Sequence, residues 1–244
     1  MAGFSPNPRA QRVRTTWPRS LHRGAILLAM GGFLYWLSFV FNAYTIWIGQ
    51  LGVVYVGLLL AWLAVLTNVA AWPALWDGLR DLTAANPEEK SAGLARRAFL
   101  CSIGLVAAAI ILLPLQYHAF SSTEVWLFVL YVSAFPFLVW TFVPTLALHG
   151  VLFGRVANFL DAPSRRLTVL GSAVLFAVAA ATSVIVVQNP DAAIFVRSWS
   201  AGQGILPAAA CIGYALIASG LTFHPLPEPL PLRGWAAAWT PRRE

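Results

Sequence analysis

The sequence predicts an all-α protein, a polytopic integral membrane bundle of six transmembrane helices with the N- and C-termini both cytoplasmic. Three observations predict it. Of 244 residues, 59% are hydrophobic and 10% charged, with a mean hydropathy of +0.72, whereas a soluble domain carries roughly 25% charged residues. Six separate apolar runs are each long enough to cross the hydrocarbon, which takes roughly 20 helical residues. The basic residues collect in every second intervening segment, as the positive-inside rule expects. Backbone polar groups find no water in lipid, so each run is helical unless the set closes into a barrel. Runs this continuous, without apolar and polar alternation, exclude the barrel.

In chain order, residues 1–23 form a basic tail with Arg9, Arg12, Arg14, Arg19 and Arg23 and no acid. A transit peptide or signal n-region has that composition. Pro6, Pro8 and Pro18 are expected to interrupt an amphipathic helix, and the apolar run that follows exceeds a signal core, so the tail reads as uncleaved and held inside. The six spans occupy residues 25–43, 46–71, 98–115, 125–150, 167–187 and 204–221 of a membrane domain covering 24–222. Residues 223–244 form a Pro-rich tail in which Trp235 and Trp239 beside Arg233 read as an interfacial anchor. With the N-terminus inside, fifteen of the sixteen basic residues fall on the inner segments and Arg197 alone outside.

Helix starts are visible between the spans. Asn86, Pro87, Glu88 and Glu89 read as an N-cap, a proline at the first helical position and first-turn acids ahead of the third helix. Ser121 and Glu124 have capping-box spacing ahead of the fourth. Asn189, Pro190 and Asp191 open a short segment with Phe195 and Trp199, expected to lie on the outer surface as a helix. Pro136, Pro144 and Pro207 are positions where helices could kink. Small residues at every fourth position, Ala173, Ala177 and Ala181 in the fifth span and Gly104 and Ala108 in the third, mark expected close helix contacts. Trp36, Phe39, Trp62, Trp126, Phe137 and Trp140 give the first, second and fourth spans bulky outer faces, with lipid as their default neighbour.

The chemistry is notable for what it lacks. Asp77, Asp81, Glu88, Glu89, Glu124, Asp161, Asp191, Glu228 and Glu244 all fall in loops, tails or helix ends. Ion-coupled carriers generally keep ionisable groups at depth, so coupled transport is disfavoured. Cys101 and Cys211 sit in different spans at different depths and do not suggest a disulfide or a zinc cluster. The run at 202–204 lacks the third glycine of a dinucleotide loop, and P-loop, HExxH and GxSxG patterns are missing. His118 and His149 fall on opposite sides of the bilayer, which excludes them as a haem pair. His22, His149 and His224 share a side, but two of them are on flanks, and no metal site is assigned.

His149 is the one titratable side chain in the apolar run 135–154. Thr141, Thr145 and His149 recur every four residues and so share a helix face. Asn68, Ser102 and Tyr214 fall at similar inner depth on other spans. These six residues form the candidate polar cluster, read first as interhelical glue worth roughly 0.6 to 2 kcal/mol per bond and second as a substrate pocket.

Three function classes follow. The leading expectation is a non-catalytic structural, accessory or assembly subunit of a multi-subunit membrane complex, respiratory or photosynthetic in kind. The alternative is a small permease or channel for a neutral or apolar substrate. Third is a membrane enzyme acting on a lipid or isoprenoid with His149 as base, ranked last because nothing acidic orients it. Expected partners are membrane lipids, including anionic headgroups facing the basic side, and other membrane protein subunits. The net charge of +7 needs no nucleic acid, since no folded basic domain grips phosphates. A bound pigment, quinone or haem is left unassigned. The expected location is the bacterial inner membrane.

Overall fold

The computed structural model describes residues 8–48, 51–85, 91–121, 125–188 and 205–222. They are all-helical apart from a short turn: α1 (Pro8–Ile48), α2 (Leu51–Ala85), α3 (Ser91–Ser121), α4 (Val125–Val156), a single 3-10 turn (Ala157–Phe159), α5 (Ala162–Gln188) and α6 (Ile205–Thr222). Each of the six α-helices contains a stretch long and apolar enough to cross a membrane: Trp17–Phe41, Tyr55–Ala84, Gly93–Leu115, Val125–Phe159, Ala162–Ile185 and Ile205–Thr222. The protein is thus a six-helix membrane-type bundle. The capping sequence expected at 86–89, residues 122–124 with Glu124, the helix expected within 189–204 and the anchor expected within 223–244 lie outside the described residues.

Each helix packs on its neighbours in sequence, and α6 closes the ring onto α1. The pairs are antiparallel, as short connections require. Gly24 meets Leu75 and Gly31 meets Asn68 between α1 and α2; Gly32 meets Cys211 between α1 and α6; Gly171 meets Gly213 between α5 and α6. This alternation brings Arg19, Arg23, Arg80, Arg96, Arg97, Arg155, Arg165 and Arg166 to one end of the bundle. The 35 residues of α2 span about 52 Å at 1.5 Å per residue, more than the roughly 30 Å of hydrocarbon, so α2 extends beyond the apolar slab.

Four expectations are corrected. The second span is expected at 46–71, but Ile46 to Ile48 close α1 and α2 continues through Pro73 to Ala85, because Leu75, Leu79 and Leu82 are buried and Gly78 rests against Leu21. A proline removes one backbone bond; packing on both sides outweighs that loss. Pro18 likewise sits inside α1, where the buried Trp17 and Leu21 flank it, and Pro136 and Pro144 lie within a continuous α4. Pro207 falls in the first turn of α6, where its missing N–H costs nothing. The alanine stripe of α5 is the third correction: Ala173, Ala177 and Ala181 are exposed, while the packed face carries Gly171, Leu175, Val178 and Thr182. Glycine permits a closer backbone approach than alanine, and α6 offers Gly213 and Gly220 to receive it. Ser121, taken as a start signal for the fourth span, closes α3 instead.

Lipid tails supply no hydrophobic drive for helix association, so van der Waals contact and hydrogen bonds must hold the ring. A Cβ built on Gly171 would lie 2.5 Å from the Gly213 carbonyl oxygen, which measures how tightly α5 and α6 interlock. Ser38 Oγ donates to the Gly57 carbonyl across α1 and α2 at 2.7 Å. Three further buried hydroxyls are satisfied within their own helix: Thr168 on Ser164, Ser172 on Thr168 and Thr182 on Val178. Such back-bonding is the cheap way to bury a hydroxyl.

Candidate functional site

His149 sits six residues, roughly 9 Å along α4, from Arg155 and so within the bundle near its basic end. It is 1% exposed. Both ring nitrogens are engaged, each by a different helix: Nε2 faces Ser102 Oγ of α3 at 3.3 Å, and Nδ1 faces the Tyr214 hydroxyl of α6 at 2.5 Å. Trp72 of α2 lies against the imidazole with ring centroids 5.6 Å apart and is itself edge-on to Phe99 of α3. One imidazole therefore touches α2, α3 and α6 from α4.

The proton positions follow from the neighbours. Ser102 has one hydroxyl hydrogen and gives it to the Ala98 carbonyl at 2.9 Å. Assigning that hydrogen to Ala98 gives the imidazole its Nε2–H tautomer, with Ser102 Oγ as the acceptor. Nδ1 is left as an acceptor for the Tyr214 O–H. A serine beside a histidine invites comparison with a nucleophile and its base, but here the histidine donates to the serine. Among the described residues the imidazole nitrogens bond to Ser102 and Tyr214 and to no carboxylate.

The six sequence-predicted residues separate into two groups. Asn68, Ser102, Thr145, His149 and Tyr214 all line one partly enclosed cavity of about 120 Å³. Thr141 does not: its hydroxyl is spent on the Leu138 carbonyl and its methyl faces Gly104. Thr145 is buried and gives its hydrogen to the Thr141 carbonyl at 2.7 Å. Asn68 is half-buried, donates through Nδ2 to the Ala64 carbonyl at 2.8 Å and packs against Gly31 of α1. Direct side-chain bonds thus join Ser102, His149 and Tyr214, while Asn68 and Thr145 share the space beside them.

Apart from the Tyr35 phenol, the rest of the cavity wall is apolar. Leu28 and Tyr35 come from α1, Ala61 and Val65 from α2, Leu105, Ala109 and Leu113 from α3, Leu138 and Phe142 from α4, and Pro207 and Ala210 from α6. Sequence reasoning missed Trp72, Tyr35 and Gly31. Trp72 falls one residue past the expected end of the second span, and a glycine that accommodates an asparagine on another helix leaves no periodic signal. No group of three or more His, Cys, Asp or Glu side chains placed to hold a metal occurs among the described residues.

No known family model matches this chain, and no curated protein or solved structure is significantly similar to it.

Proposed function

We propose that the protein is a small permease for a neutral, largely apolar molecule, with the cavity between α1, α2, α3, α4 and α6 as its binding site. The observation that carries this reading is the cavity itself: an apolar chamber inside the bundle, with polar groups from α2, α3, α4 and α6 converging at one end. A mostly greasy pocket with a few placed polar atoms is the usual form of a small-molecule site. Its walls contain no formally charged side chain, which suits an uncharged substrate and offers no group for ion coupling. The arginine-rich end is read as cytoplasmic, which puts His149 toward the inner leaflet of a bacterial inner membrane. Exchange of radiolabelled neutral alcohols and amides across proteoliposomes is the test. Ala109→Phe, which fills the chamber, is expected to abolish flux, and Asn68→Ala or His149→Ala to alter it. Flux of every solute at the empty-vesicle rate, or flux indifferent to all three changes, would remove the proposal.

A second reading is favoured by the surface of α4, where Trp126, Phe137 and Trp140 are 60 to 69% exposed. Such a face supports the accessory-subunit reading, in which another membrane subunit covers it. Stable co-purification in mild detergent is the expected result, and a solitary monomer throughout purification counts against it.

A further inference from the structure

The cavity has two chemically different ends, and the hydrogen-bond inventory of the polar end selects a ligand. In the Nε2–H tautomer assigned above, His149 and Ser102 have no hydrogen left to offer: Ser102 donates to Ala98 and the imidazole to Ser102. Tyr214 gives its hydrogen to His149 and Thr145 gives its own to Thr141. Both oxygens keep an acceptor lone pair. Asn68 has committed one N–H to Ala64 and keeps Oδ1 and its second N–H. The unused valences at this end are therefore mainly acceptors, and none is charged. Away from it, Leu138 lies eleven residues, roughly 16 Å, along α4 from His149, and Leu113 as far along α3 from Ser102, so the wall becomes hydrocarbon within a few turns apart from the Tyr35 phenol of α1.

Resting on the binding reading above, we infer that the cavity takes a small uncharged amphiphile: a hydroxyl end among Asn68, Thr145 and Tyr214, and a hydrocarbon body along Leu105, Ala109, Leu113 and Leu138. A volume of about 120 Å³ is of the order that admits one aromatic ring, given that a cavity of roughly 150 Å³ takes up benzene. A hydroxyl satisfies the acceptors, whereas a ketone or ether of the same shape leaves them facing lone pairs. A carboxylate or ammonium head has no counter-charge in the wall.

The probes are 4-fluorophenol, fluorobenzene and 4-fluorobenzoate, with binding to the full chain in nanodiscs followed by fluorine NMR and corrected for partition into empty discs. The phenol is expected to bind about three- to tenfold more tightly than fluorobenzene, the value of one interhelix-strength hydrogen bond, and the benzoate not at all. Thr145→Val and Asn68→Ala should each erode the preference while leaving fluorobenzene binding intact; Thr145→Val keeps the side-chain shape, so loss of folding does not confuse the result. Ala109→Phe should exclude both neutral probes. Equal binding of phenol and fluorobenzene overturns the hydroxyl assignment but leaves a cavity that binds neutral molecules. Binding of the benzoate overturns the uncharged class. No binding of any probe, with Ala109→Phe indistinguishable from the parent, overturns this inference and the cavity reading together.

Discussion

The link between His149 and Tyr214 can be measured by a double-mutant cycle. Tyr214→Phe removes the hydroxyl and leaves Nδ1 without a donor inside a residue that is 1% exposed; an unmet acceptor there costs about 1 to 2 kcal/mol. His149→Leu leaves the Tyr214 hydroxyl without its acceptor, about 1 to 3 kcal/mol, and also removes the contact with Trp72. Independent effects would sum to about 2 to 5 kcal/mol. Both changes delete the same bond, however, so the double variant should fall short of that sum by about 1 to 1.7 kcal/mol, the upper range for interhelical bonds in a membrane protein. Reversible unfolding in mixed micelles titrated with dodecyl sulfate and followed by circular dichroism gives the four stabilities. Additivity within about 0.5 kcal/mol would refute the claim that this bond ties α4 to α6.

Three further outcomes follow from the packing. Gly171→Ala places a Cβ 2.5 Å from the Gly213 carbonyl oxygen and should destabilise by about 1 to 3 kcal/mol, the overpacking range; Gly154→Ala, with nothing within 4 Å, should gain up to about 1 kcal/mol from helix propensity in the same unfolding assay. Ser164 Oγ is buried without a hydrogen-bond partner among the described residues, so Ser164→Ala should be neutral or raise stability by up to about 1 kcal/mol, visible as a higher detergent midpoint. Ser38→Ala frees the Gly57 carbonyl between α1 and α2 and should cost about 0.5 to 1.5 kcal/mol, with faster amide exchange on the adjoining turns of α2.

Part of the site was readable from spacing alone. Thr141, Thr145 and His149 repeat every four residues, and a helix turns that repeat into a face. Depth could also be estimated by counting from the basic loops, which is why Asn68, Ser102 and Tyr214 could be matched to His149 from other spans. Spacing does not tell a hydroxyl facing a neighbour from one folded back on its own carbonyls. Thr141 and Thr145 are one turn apart, yet Thr145 lines the cavity and Thr141 does not. The alanine stripe of α5 shows the same limit: a run of small residues says where close packing is permitted, and the glycines of α6 determined which face used it.

By itself the sequence determined the class of protein, six helices of membrane-crossing length and a core free of mid-span carboxylates, because lipid demands continuous apolar helices and penalises unpaired charge. Those constraints act on each segment separately. Only the tertiary structure decided that α6 closes the ring onto α1, that Pro18 and Pro73 stay within helices and that one imidazole joins three neighbouring helices around a chamber. Each of these depends on which faces meet, and that choice is made by short-range contact between surfaces distant in sequence.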